Sequence, residues 1–212
     1  MSVTLCDGFS RRLLSRTPSL PSKRLTWAGL ALVLALVAGS VRAESPIYRV
    51  DPSLTTAEFV ATQFGVFRAR GHFARMSGRI VYDPVGSAGS VSFDLAAASV
   101  TTGWKSRDTF IRGEDMFDAD RHPSIQFRST RLIFAQGKPT RIDGELTLRG
   151  VTRPWSLALV QFDCGKVRED GREICSAEAG GTIHRSDFGM DYLVPLIGDD
   201  VELLFVVTAV RE

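Results

Sequence analysis

The stretch GWKSRDTFIRGEDMFDADRHPSIQFRSTR, residues 103–131, decides the fold class. Its middle, residues 106–117, is the one segment with plausible helical character. Phe110, Ile111 and Phe117 would face inward there, and Asp108 stands near the N-terminus, where a carboxylate favours a helix. On either side the period is two. Upstream, Ala57, Phe59 and Ala61 alternate with Glu58, Val60 and Thr62, and Val91, Phe93 and Leu95 alternate with Ser90, Ser92 and Asp94. Downstream, Ile142, Leu146 and Leu148 recur in a background of Thr, Arg and Glu. Such alternation marks strands with one wet face. Residues 155–162 and 201–210 are apolar at successive positions, so they are predicted to be covered on both faces. Turns fall at Tyr82-Asp83-Pro84 and across residues 86–89. Many short strands with one or two short helices predict an all-β chain, an antiparallel barrel or sandwich. A barrel of about eight strands has room inside for side chains or for one ligand. Periodicity does not separate a packed interior from an apolar cavity.

Residues 27–39 form an apolar run of 13, the length of a signal-peptide core and too short to span a bilayer. Arg11, Arg12, Arg16, Lys23 and Arg24 precede it, and Val41-Arg42-Ala43 provides a cleavage point before Glu44. Residues 1–43 are therefore predicted to be a cleaved secretory signal peptide and residues 44–212 the exported domain, located in the periplasm. Ser10-Arg11-Arg12 faintly resembles a twin-arginine signal, which leaves the choice between Sec and Tat export open.

Removing the leader reverses the charge. It holds 6 of the 26 basic and 1 of the 24 acidic residues, which leaves 20 against 23 in residues 44–212. That balance offers no global basic field, so nucleic acid is not an expected partner. The remaining 169 residues suffice for one domain with its own core. The chain lacks Asn, which excludes N-glycosylation.

Cys164 and Cys175 flank the turn-rich segment Arg168-Glu169-Asp170-Gly171. A hairpin centred on Glu169 and Asp170 sets the two cysteines directly opposite, close enough for a disulfide in an oxidising compartment. His72, His122 and His184 show no metal-like spacing, and no metal site is expected. His184-Arg185-Ser186-Asp187 brings Ser, His and Asp together in sequence, but without Gly-x-Ser-x-Gly or an oxyanion-hole signature. Glu114, Asp115, Asp118 and Asp120 read as a solvated acidic loop rather than a calcium loop, because the glycine and the terminal glutamate of such a loop are missing.

A run of motifs in fixed order then points to a family. It begins with Val50-Asp51-Pro52, Arg70-Gly71-His72-Phe73 and Ser77-Gly78-Arg79-Ile80-Val81-Tyr82-Asp83-Pro84. It continues with Arg107-Asp108-Thr109-Phe110-Ile111-Arg112, Met116-Phe117-Asp118, His122-Pro123-Ser124-Ile125 and Phe127-Arg128-Ser129-Thr130. Residues 144–154 (GELTLRGVTRP) and Arg185-Ser186-Asp187-Phe188-Gly189-Met190 complete it. Across residues 47–210 this order and spacing resembles the YceI-like family of periplasmic, lipocalin-like proteins of the polyisoprenoid-binding type. The resemblance implies an eight-stranded antiparallel barrel holding a long apolar lipid: a polyisoprenoid, an isoprenoid quinone or a fatty-chain amphiphile. It implies no cofactor beyond that non-covalent ligand and no catalytic residues.

On this reading Phe59, Phe64, Phe67, Phe73, Phe93, Trp104, Phe110, Phe117 and Phe127 are candidates to line the pocket, although core packing accounts for each one equally well. Arg107 and Arg112 are candidates to meet a head group. Family members often carry histidines where this chain has Leu54, Gln63 and Phe110, so its cavity mouth is expected to be more apolar than theirs. Two other readings stay open. One is an enzyme acting on such a lipid, with Asp108 or Asp187 as proton donor. The other is a ligand-free interaction or stress-response module with a filled barrel. Transient contact with a membrane or membrane protein, and a homodimer through the strands apolar on both faces, also remain open.

Overall fold

The computed structural model describes residues 45–212; the expected signal peptide lies outside them. The chain runs through β1 (Ile47–Val50), β2 (Thr56–Gln63), β3 (Phe67–Phe73), β4 (Met76–Asp83), β5 (Ala88–Ala96) and β6 (Val100–Thr101). Helix α1 (Lys105–Arg112) follows, then β7 (Ser124–Ala135), β8 (Lys138–Leu148), β9 (Val151–Val167), β10 (Glu173–His184) and β11 (Ile197–Arg211). Eight strands close a ring in the order β1-β4-β5-β7-β8-β9-β10-β11, and β11 pairs back onto β1. All pairings are antiparallel, as predicted. Closure leaves the ring without a free edge.

A short 3₁₀ turn at Pro52–Leu54 divides what would otherwise be one long first strand. Asp51 caps it, its side chain accepting from the Ser53 amide at 3.0 Å, and Pro52 presets the first residue. Before the turn β1 pairs with the C-terminal end of β11. After it β2 pairs with the N-terminal part of β11, and β3 and β6 follow outward from β2. The barrel thus has two unlike ends. One carries α1, the β2–β3 and β8–β9 hairpins and the loop between β10 and β11. The other carries both Ile47 and Arg211.

The alternating sets point inward as the period-two reading requires. Ala57, Phe59, Phe93, Leu95, Ile142, Leu146 and Leu148 are all buried in one core. Large rings fit because glycines face them. A Cβ on Gly144 would lie 2.5 Å from the Arg128 carbonyl oxygen and 2.6 Å from the Phe127 ring, and Gly144 pairs in register with Trp155. At Gly71 a Cβ would lie 2.4 Å from the Phe59 ring. These glycines are required by close approach, not by turns.

Two expectations need correction. Residues 155–162 and most of 201–210 are covered on one face only: Trp155, Leu157 and Phe205 point in, while Val160, Leu204 and Val206 stand exposed on the outer surface, and only at Ala209 and Val210 are successive residues both buried. An apolar residue on an outer strand face is tolerated singly, so a both-faces-apolar run does not force a second layer. The helix is also shorter than its pattern, ending at Arg112 instead of reaching residue 117. Gly113 is extended, and its amide bonds the Phe110 carbonyl. The Phe117 and Asp118 amides then bond back to Ile111 and Gly113, so a compact turn, not a helix, aims Phe117 inward.

The disulfide joins Cys164 and Cys175, which are directly paired. The hairpin tip is closed by Arg168 and Arg172 and so centres on Asp170, half a residue away from the expected point. A register shift next to Cys175, with Gly165 at φ 96°, restores the alignment of the sulfurs.

Candidate functional site

Under the helix end lies a cavity of about 110 Å³. Phe59, Phe73 and Phe93 project into it from β2, β3 and β5, and Phe110, Ile111, Met116 and Phe117 close over it from α1 and the following turn. Leu146, Leu148, Leu203 and Phe205 form much of the remaining wall. The polar groups gather near the opening, where Gln63, Thr102 and Arg107 line it.

A second cavity of about 40 Å³ lies farther along the barrel, lined by Val50, Ile80, Ile142, Leu157, Phe162 and Val207 among others. The two share Phe93 and Phe205. Those rings belong to a closed cycle of four: Phe93 to Phe127 at 5.1 Å, Phe127 to Trp155 at 5.7 Å, Trp155 to Phe205 at 6.4 Å, and Phe205 to Phe93 at 5.0 Å. Strands β5, β7, β9 and β11 each give one ring. The Trp155 indole is fixed by donating to the Thr182 carbonyl at 2.9 Å. Together the rings make an aromatic floor between the cavities.

At the mouth, Asp108 organises the Thr101–Thr102 segment. Its carboxylate accepts from the Thr102 amide at 2.7 Å, the Thr102 hydroxyl at 2.5 Å and the Thr101 hydroxyl at 3.1 Å. The Thr102 hydrogen bond, above all, holds this carboxyl below the usual range. An ionised, fully bonded carboxylate is a strut and a poor proton donor, which counts against the role considered for Asp108. Asp187, the other candidate, sits exposed on a 3₁₀ turn beyond β10. Arg107 donates from Nε to the Thr102 hydroxyl at 2.8 Å and from a terminal nitrogen to the Thr102 carbonyl at 3.1 Å. Its guanidinium lies 5.5 Å from the centre of the Trp104 ring. Arg107 therefore stands fixed at the opening.

Arg185 is the residue that sequence reasoning missed. It is 1 % exposed and lines the cavity, yet no carboxylate pairs with it directly. Its guanidinium donates to the carbonyls of Gly198 (3.0 Å), Tyr192 (2.9 Å), Ile197 (2.9 Å) and Met190. Burial lowers its pKa, opposed by the charges of Asp199 and Asp191. It thereby staples the loop between β10 and β11 across the barrel end. The signal was present in the alternation: Gly181, Ile183 and Arg185 share a strand face, and Ile183 is buried.

Of the nine aromatic candidates, Phe59, Phe73, Phe93, Phe110 and Phe117 line the cavity. Phe127 is fully buried within the floor and does not reach it. Phe64 (65 % exposed), Phe67 (65 %) and Trp104 (68 %) stand in the open around the mouth: Phe64 occupies a hairpin tip, Trp104 a helix cap, and Phe67 the first position of β3, on the face of Ala69 and Phe73 but beyond the covered wall. Arg112 is likewise turned away from the cavity: it donates to the Val100 carbonyl at 2.7 Å and ties α1 to β6. Gln63 and Phe110, two positions where family members often have histidine, line the cavity, whereas Leu54 is exposed on the 3₁₀ turn. His72 points outward, His122 sits 3.9 Å from Asp118, and His184 lies 2.7 Å from Asp200. The acidic loop is only partly solvated. Asp118 is buried, pairing with Arg121 at 2.7 Å, while Glu114 remains exposed. Among the described residues no three His, Cys, Asp or Glu side chains gather in a metal-binding group.

A closed antiparallel barrel with an apolar cavity under one end, polar groups at its opening and a solid floor is a lipocalin-like architecture. Within that class the chain belongs to the YceI-like family, whose domain matches residues 48–209. A UPF0312 protein of Pseudomonas paraeruginosa is 30% identical over 191 residues, covering 88% of this chain and 98% of that one. Among solved structures, the Campylobacter jejuni YCEI protein superposes with a TM-score of 0.62 at 23% identity, over 71% of this chain and 90% of that one. A polyisoprenoid binding domain from Saccharophagus degradans, implicated in plant cell wall breakdown, gives 0.55 at 18% identity, over 78% and 98%.

Proposed function

We propose that this protein is an exported, non-catalytic carrier of a long apolar lipid, with the chain buried in the barrel and the head group at the mouth beside Arg107, Thr102 and Gln63. The observation that carries the reading is the cavity itself: a largely apolar space with Gln63, Thr102 and Arg107 at its opening and its one buried charge, Arg185, bonded to backbone carbonyls. Such a ligand needs little chemistry, only dry walls and a few orienting groups. Each buried methylene contributes about 0.8 kcal/mol, so a modest length of chain gives useful affinity. A polyisoprenoid, an isoprenoid quinone or a fatty-chain amphiphile all meet that description, and the polyisoprenoid-binding neighbour favours the first. The candidate proton donors do not favour catalysis: Asp108 beside the mouth has its carboxyl held below the usual range by Thr102, and Asp187 is exposed away from the cavity. The periplasm is the compartment proposed, on the leader and the disulfide.

Native mass spectrometry followed by organic extraction, on protein recovered from its own host, tests this. A stoichiometric lipid is the expected result, and its mass names the ligand class. A clean apo mass with no uptake of added prenyl or fatty chains would remove the carrier reading and leave the fold unchanged.

A further inference from the structure

The rim of the mouth is built to enter something apolar. Eight of the fourteen exposed large apolar side chains among the described residues stand around this one opening, in the hairpin 64–67, at Trp104 and in the loop 192–196. The first and last are joined, since the Phe64 amide donates to the Leu196 carbonyl at 2.7 Å. Tyr192 packs on Phe110, a cavity wall, at 5.4 Å, and Trp104 lies against Arg107 at the opening. The apolar rim is therefore continuous with the cavity.

Backbone geometry adds an independent observation. Among the described residues six non-glycine positions have positive φ, and four of them are Ser87, Asp118, Gln136 and Arg149. The other two are Phe64 (φ 51°) and Leu193 (φ 56°), both exposed on this rim. Phe64 takes this backbone in a hairpin turn with Gly65, as Gln136 does with Gly137 and Arg149 with Gly150, whereas Leu193 has no glycine after it; in either place a polar residue would serve the backbone as well as a bulky apolar one facing water. Among the described residues the other four positive-φ side chains are polar, so Phe64 and Leu193 are the apolar exceptions.

Behind the tips stands a tier of basic groups. Arg70, Lys105 and Arg107 have no carboxylate within 4.0 Å among the described residues, while Arg68 pairs with Glu202 at 2.5 Å. Asp187 and Asp191 are the acidic residues of the loop between β10 and β11, and both are exposed. Protruding apolar tips backed by arginine and lysine match the boundary between acyl chains and anionic head groups. They match a flat or concave protein partner poorly, because tips present no groove and no paired edge.

We propose that the mouth docks onto an anionic lipid bilayer, with Phe64, Phe67, Leu193 and Leu196 inserted and Arg70 and Lys105 at the head groups. In that position a ligand passes between membrane and barrel without crossing water. This extends the carrier reading, but the docking can be tested apart from it.

The test is sedimentation of the host-purified protein with vesicles of phosphatidylglycerol or of phosphatidylcholine. The informative variant is Phe64→Asn with Leu193→Asn, because Asn tolerates left-handed backbone. Vesicle affinity is expected to fall by at least about tenfold, since insertion scales with apolar area, while Tm stays level or rises. Arg70→Gln with Lys105→Gln is expected to weaken binding to phosphatidylglycerol alone. Wild-type protein that ignores both vesicles overturns the proposal, as does an Asn variant that binds like wild type. A dimer in ultracentrifugation that the Asn variant dissolves, without vesicle binding, assigns the rim to a second copy and overturns it too. A lipid-laden protein that fails to sediment sinks the docking alone, and one that sediments without carrying lipid sinks the carrier reading alone.

Discussion

Replacing Phe205 by alanine removes one quarter of the aromatic floor. Truncating a buried phenylalanine costs about 3–5 kcal/mol. Phe205 also packs on Phe93 at 5.0 Å and on Trp155 at 6.4 Å, contacts worth about 0.5–1.5 kcal/mol each beyond their area. The loss therefore sits near the top of the range. At about 2–4 °C per kcal/mol for a domain of this size, the apo Tm is expected to drop by about 10–20 °C. The more telling effect is on ligands. Without the ring, the cavities of about 110 and 40 Å³ become one. Each further buried methylene is worth about 0.8 kcal/mol, roughly fourfold in affinity. Affinity for a series of prenols or fatty alcohols, read by displacement of a fluorescent lipid, should climb with length in the wild type and then level off where the chain end meets the floor. In Phe205→Ala the levelling point moves to longer chains. Phe205→Leu gives a milder version should the alanine variant be too unstable. A folded variant whose levelling point is unchanged would refute the idea that these rings limit how far a chain enters.

Three other perturbations have expected outcomes. Cys164→Ser should lower unfolding free energy by about 2–3 kcal/mol, as closure of so short a loop implies, and reductant should have no further effect on that variant in a denaturant titration. Arg185→Ala should free the carbonyls of Met190, Tyr192, Ile197 and Gly198; hydrogen exchange should quicken across residues 189–198 before it changes in β5 or β7. Tyr48 donates its hydroxyl to Glu173, and burial first, then that carboxylate, pushes its pKa up to about 12. Because the folded pKa is raised, the stability linked to the neutral phenol is complete below pH 10 and is lost as pH rises toward 12. Tyr48→Phe should flatten that alkaline decline in a series of unfolding curves from pH 9 to 12.

Periodicity made the inner wall legible. Ala57, Phe59, Phe93 and Leu95 point inward because a strand offers each side chain only two directions and one of them was plainly polar. The same logic fails where neither direction is polar. In β11 nothing in residues 201–210 distinguishes Phe205, which shapes both cavities, from Leu204 and Val206, which face out. Residue type misled in the opposite way at the mouth. Aromatic character marked Phe64, Phe67 and Trp104 as wall, but a hairpin tip, the outermost position of a strand and a helix cap lie beyond the inner wall. Arg185 was hidden by its charge, since a lone guanidinium is rarely buried and only the carbonyls of the loop that follows it make it tolerable there. The cysteine pairing was legible because hairpin symmetry depends on counting alone, although a bulge at Gly165 was needed to make the count come out.

The closure of the ring by β1 and β11 has a practical corollary. Tyr48 pairs with Arg211, and the Glu212 amide donates to the Ile47 carbonyl, so the first and last described strands leave the barrel side by side at the end away from the cavity. A tether, fluorophore or fusion partner attached after Glu212 therefore leaves the opening unobstructed. Immobilised that way, every molecule presents its mouth outward to a flowing lipid film. Joining the two ends with a short linker would allow the chain to be reopened elsewhere on its surface, giving a permuted barrel whose lipid-facing parts are untouched.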